Sequence, residues 1–78
     1  MTPVCEEYIT SQSKAGGKAV GRVAIAKLTN AGYVPKVTPP PPEPWIWEKN
    51  EGRIMAITSY MGPFRLKIEY LVDLDGDS

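Results

Sequence analysis

Lys14-Ala15-Gly16-Gly17-Lys18-Ala19-Val20-Gly21-Arg22-Val23-Ala24-Ile25-Ala26-Lys27-Leu28-Thr29-Asn30-Ala31-Gly32-Tyr33 reads as a helix or as a hairpin, and the fold class turns on the choice. On a helical wheel Val20, Val23, Ala24, Leu28 and Ala31 share one face, and Lys14, Lys18, Arg22 and Thr29 share another. Lys27 interrupts the apolar face. Gly16, Gly17 and Gly21 each cost about 1 kcal/mol relative to alanine in a helix interior. The ending favours the helix. Gly32 stands where a left-handed C′ residue belongs, and Tyr33 stands where a C″ side chain reaches back to the last turn. The hairpin alternative runs a strand from Arg22 to Leu28, turns at Asn30-Ala31-Gly32 and returns along Tyr33 to Val37. It draws on the β-branched Val20, Val23 and Ile25, but Ala24, Ala26 and Lys27 prefer helix. The pattern therefore predicts a helix over Lys18 to Ala31.

Outward from that segment, the chain is strand-like. Met1 to Thr10 alternates Val4, Glu6 and Tyr8 against Cys5, Glu7 and Ile9. Ser11-Gln12-Ser13 offers N-cap candidates. Tyr33 to Val37 is a short extended piece that Pro35 confines to an edge or a bulge. Pro39-Pro40-Pro41-Pro42-Glu43-Pro44 reads as a stiff polyproline II connector. Trp45 to Glu48 alternates, and Lys49-Asn50-Glu51-Gly52 is a turn. Arg53 to Tyr60 places Ile54, Ala56, Thr58 and Tyr60 on one face and Met55 and Ile57 on the other. After the Met61-Gly62-Pro63 turn, Phe64, Leu66, Ile68, Tyr70 and Val72 line one face of the clearest strand, opposite Arg65, Lys67 and Glu69. These three strands make an antiparallel meander whose apolar face needs a second layer. The expected architecture is α+β, one helix packed on a small antiparallel β-meander; the alternative is a small all-β meander or barrel. Trp45 to Glu48 is expected at an exposed edge of that sheet, open to pairing in a homodimer or with a partner strand. Asp73 to Ser78 reads as an acidic, solvated tail.

The 78 residues make one small domain. Nine basic and nine acidic residues leave no net charge, hence no global pull toward nucleic acid or a membrane. The single cysteine cannot close an internal disulfide, and no apolar run approaches transmembrane length. No secretory h-region is visible, so a cytoplasmic protein is expected.

Chemistry is hard to place on this chain. It has no histidine, the commonest general base and metal ligand. Cys5 lies beside Glu6 and Glu7, an electronegative setting opposite to that of reactive cysteines. The acidic tail lacks the bidentate glutamate that ends a calcium loop, and Lys14 to Lys18 lacks the strand and the Gly-Lys-Ser/Thr ending of a phosphate loop. No catalytic residue, metal site or cofactor is expected. Recognition is the better prospect. Trp45 and Trp47, two apart, point the same way from a strand, and tryptophan is a common binding anchor. Lys14, Lys18 and Arg22 fall on one side of a helix, suited to an acidic protein surface or to phosphates. Lys36-Val37-Thr38-Pro39-Pro40-Pro41-Pro42 fits the basic-x-x-Pro-x-x-Pro pattern of SH3 ligands, a match that any proline run makes cheaply. The sequence therefore points to a non-enzymatic protein that binds another macromolecule, as an inhibitor or adaptor of a protein partner. A nucleic-acid binder using the helix stripe and a structural subunit assembling through a sheet edge are the alternatives.

Overall fold

The structure is a computed structural model that describes residues 2–11, 16–40, 43–62 and 64–73. Strand β1 (Thr2–Thr10) leads into helix α1 (Gly16–Asn30), followed by β2 (Val34–Val37), β3 (Trp45–Lys49), β4 (Ile54–Tyr60) and β5 (Arg65–Val72). All pairings are antiparallel, in the order β1-β5-β4-β3-β2, and the sheet is not closed into a barrel. The fold is α+β. The helix carries the chain from one edge of the sheet to the other, and the meander β2 to β5 brings it back beside β1.

The helix ends as its sequence requires. The Tyr33 amide donates to the Leu28 carbonyl at 2.9 Å, and the Gly32 amide donates to the Thr29 carbonyl at 3.1 Å. These are the two bonds of a Schellman cap, and Gly32 supplies its left-handed residue with φ 95°. Tyr33 is buried, its ring against Tyr70.

The core lies between α1 and one face of the sheet. Val20, Ala24 and Leu28, spaced by four along the helix, meet Trp47, Ala56, Leu66 and Ile68. Full burial of a Leu or Ile side chain contributes about 1.5–3 kcal/mol, so this narrow stripe is the main tie between the layers. Val23, expected on the same apolar face, is instead 51% exposed. The face is narrower than the wheel suggests because the helix rests mainly on β5 and β1. Phe64, expected in line with Leu66 and Ile68, precedes β5 and is also exposed.

One expectation is overturned. Trp45 to Glu48 is not an edge, because β3 pairs with β4 on one side and with β2 on the other. Pro35 does not prevent that second pairing. β2 lies outermost, so an amide missing from its free side costs no ladder bond, and the register shifts between Pro35 and Val37. The edges are β1 and β2.

In the connector, the Glu43 amide donates to the Pro40 carbonyl at 3.2 Å. A polyproline II helix contains no such bond. Pro41 and Pro42 lie outside the described residues, as do the N-cap candidates Gln12 and Ser13 and the tail beyond Asp73.

Candidate functional site

Because α1 rests mainly on β5 and β1, it covers the helix-side face of β3 and β4 only in part. Trp47 fills the centre. It is buried at 1% exposure, and its indole N–H donates to the Thr58 hydroxyl at 3.3 Å. Trp45, next on the same face, is half-buried. Its ring lies 5.9 Å from that of Trp47, tilted by 37°, and its indole N–H donates to the Pro39 carbonyl at 2.9 Å. The proline connector thus fixes the rotamer of Trp45 by a backbone bond.

Between these indoles and the helix runs a cleft of about 400 Å³, counting space open to solvent. Trp45, Trp47, Tyr60 and Leu66 line the sheet side, Gly21, Ala24 and Ile25 the helix side, and Glu43 stands on the connector side. The helix comes this close to Tyr60 because residue 21 has no side chain. A Cβ there would sit 2.5 Å from the Tyr60 hydroxyl oxygen. Gly21, in sequence an unexplained cost to the helix, is the residue that shapes the cleft wall.

Lys18 and Arg22 are both exposed on α1. At 100° per residue they fall beside Gly21 and Ile25 on the shoulder above the cleft. The tryptophan pair and two members of the basic stripe thus lie on the two elements that wall one cleft, although Lys18 and Arg22 do not themselves line it. Lys14 lies outside the described residues. Tyr60, Ile25 and Glu43 were not legible as site residues. Tyr60 reads as one more member of an alternating strand, and no local pattern tells which strand faces the uncovered part of a helix.

Compared with protein-family models, curated proteins and solved structures, the chain matches none of them.

A second group of polar side chains lies at the other end of the helix. Lys27 Nζ pairs with Glu7 Oε2 at 2.8 Å, and the Tyr70 hydroxyl donates to Glu7 Oε1. The Lys27 ammonium and then the Tyr70 hydroxyl hold the Glu7 carboxyl below the ordinary carboxylate range. Burial, and then the bond to Glu7, push the Tyr70 hydroxyl well above the ordinary tyrosine range. Tyr33 packs 6.1 Å from Tyr70, and Lys49 caps the Tyr33 ring at 5.1 Å. Each charge in this group has a partner, and the arrangement fastens the helix C-terminus to β1 and β5. Among the described residues no three His, Cys, Asp or Glu side chains group as metal ligands, and no helix is long and apolar enough to cross a membrane.

Proposed function

We propose that this protein is a non-enzymatic binding domain, an inhibitor or adaptor, that captures another protein in the cleft between α1 and Trp45. The observation that carries this reading is the half-buried Trp45, held in one rotamer by Pro39 on the wall of an apolar cleft. A fixed aromatic wall loses little conformational freedom on binding, which is what makes tryptophan an effective anchor. The cleft is small and partly open to solvent, too slight to enclose a small-molecule ligand. It suits one or two apolar side chains of a partner. Lys18 and Arg22 above it favour acidic residues flanking those side chains. The cytoplasmic location expected from the sequence belongs to the same proposal.

The test uses affinity capture with the full chain, followed by binding kinetics of the captured partner. Trp45→Ala is expected to weaken binding by at least ~2 kcal/mol, mainly through faster dissociation. Lys18→Ala with Arg22→Ala is expected to slow association and flatten the salt dependence. Capture that nuclease abolishes, with Trp45→Ala without effect, overturns the proposal in favour of a nucleic-acid binder.

A further inference from the structure

We propose that β1 pairs antiparallel with β1 of a second copy of this chain, centred on Tyr8, to give a two-fold dimer with one continuous sheet. The inference is independent of the cleft. It begins with the contrast between the two edges. β2 has four residues, a proline and a register shift, all of which blunt an edge strand. β1 has nine residues, and its proline and its irregularity both lie at its start, between Pro3 and Cys5. From Cys5 to Thr10 it is a regular edge, and among the described residues no strand lies beyond it.

The bonds around β5 fix which groups of β1 point outward. Met61 donates to the Arg65 carbonyl and Asp73 to the Arg53 carbonyl, both at 2.9 Å. The odd-numbered residues of β5 therefore bond to β4. The even-numbered ones bond to β1, as the 2.9 Å bond from the Ser11 amide to the Phe64 carbonyl shows. Their partners on β1 are Cys5, Glu7, Ile9 and Ser11. The amides and carbonyls of Glu6, Tyr8 and Thr10 are left facing away from the sheet.

Charge then selects the register. Centring the pair on Glu6 or Glu7 would set a carboxylate against its own copy, and like charges directly opposite are destabilising. Centring on Ile9 leaves Glu6 outside the ladder and sacrifices two hydrogen bonds. Centring on Tyr8 sets Glu6 against Thr10 of the second copy, and about six main-chain bonds form. Thr10 is itself paired with Arg65, whose guanidinium lies 4.1 Å over the Tyr8 ring on that face. Each Glu6 thus approaches a strip of the other copy that carries a cation. The exposed apolar residues agree. Val23 lies one turn before Lys27, on the flank of α1 that reaches Glu7 of β1. A two-fold axis perpendicular to the sheet puts both helices on one face, with their Val23 flanks turned toward each other. Tyr8, 42% exposed, meets its own copy on the other face.

Sedimentation equilibrium at high-micromolar concentration is expected to give a dimer. Tyr8→Pro removes an outward amide and no bond to β5, so a folded, monomeric variant is expected. Because proline can also unseat a strand, a second variant tests the register by a gain. In the Tyr8-centred pair residue 5 faces residue 11 of the second copy at a non-hydrogen-bonded position, about 4.5 Å between Cα atoms. Ser11→Cys with an added disulfide oxidant should therefore give a reducible dimer through the native Cys5. Within one chain the two positions lie about 20 Å apart along the strand and cannot join. Adding Cys5→Ser should abolish the link. A monomeric wild type, a folded Tyr8→Pro that stays dimeric, or a Ser11→Cys protein with no reducible dimer would each overturn the proposal.

Discussion

Gly21 and Tyr60 show how one missing side chain shapes the candidate site. A glycine in a helix interior ordinarily costs about 1 kcal/mol relative to alanine, so Gly21→Ala should stabilise if nothing stood in the way. The Tyr60 oxygen stands 2.5 Å from where the methyl would go, while the ring carbon that bears it is 3.7 Å away, an ordinary contact. Gly21→Ala alone is therefore expected to be neutral or destabilising. In a Tyr60→Phe background the same change is expected to stabilise by up to ~1 kcal/mol. Urea denaturation of the four proteins measures the coupling, and additive effects would show that the two residues do not meet. Trp47 makes a different point at the same scale. Its spacing from Trp45 predicts a shared face, which is found, but spacing does not distinguish a buried indole from a half-open one. That difference arises from Thr58, which satisfies one indole from within the core, and Pro39, which holds the other at the rim.

Among the elements, α1 and β5 are the most legible. The Gly32-Tyr33 signature forecasts a left-handed cap, and both bonds of the cap form. Space is not the constraint at Gly32, because the nearest atoms to a Cβ there are 3.8 Å away on the flexible Lys49 side chain. The backbone conformation is. Gly32→Val is expected to cost more than ~1 kcal/mol, since a β-branched residue resists positive φ, and Gly32→Asn distinctly less. Thermal unfolding followed by circular dichroism checks the order. β4 and β5 follow from alternation, because each buries one face. β1 was legible as an extended segment but not as an edge, whereas Pro35 marked Tyr33 to Val37 as an edge or a bulge, and β2 is an edge strand with a register shift after Pro35. Strand order depends on where the helix delivers the chain, and no residue of Val34 to Val37 records that it will lie outside Trp45 to Lys49. The exposure of Val23 was hidden for a related reason. Periodicity gives the direction of the apolar face, while the width of the buried stripe depends on which strands the helix covers.

Across the whole molecule, the described residues include two fastenings between the layers: the apolar stripe of Val20, Ala24 and Leu28, and the polar group of Glu7, Lys27 and Tyr70 at the helix C-terminus. The second depends on pH. The folded state lowers the Glu7 carboxyl from its ordinary 4.5, so its contribution is complete above 4.5 and is lost as pH falls through the lowered folded value. The folded state raises the Tyr70 hydroxyl, so stability also declines as pH rises above the ordinary 10.0. Urea midpoints of the wild type and Glu7→Gln are expected to differ by a constant amount between pH 4.5 and 10.0 and to converge as pH falls below 4.5. A gap that persists in acid would mean that the ionised Glu7 is not part of the fastening. The tryptophan arrangement has a consequence of another kind. Both indoles of the chain lie together at one cleft, their rings 5.9 Å apart and tilted by 37°. At that separation their excited states mix, and the chiral offset of the rings imprints an exciton couplet on the ultraviolet dichroism. The emission of the protein arises from the same two rings, so the molecule carries its own optical gauge of whether this cleft is open or filled.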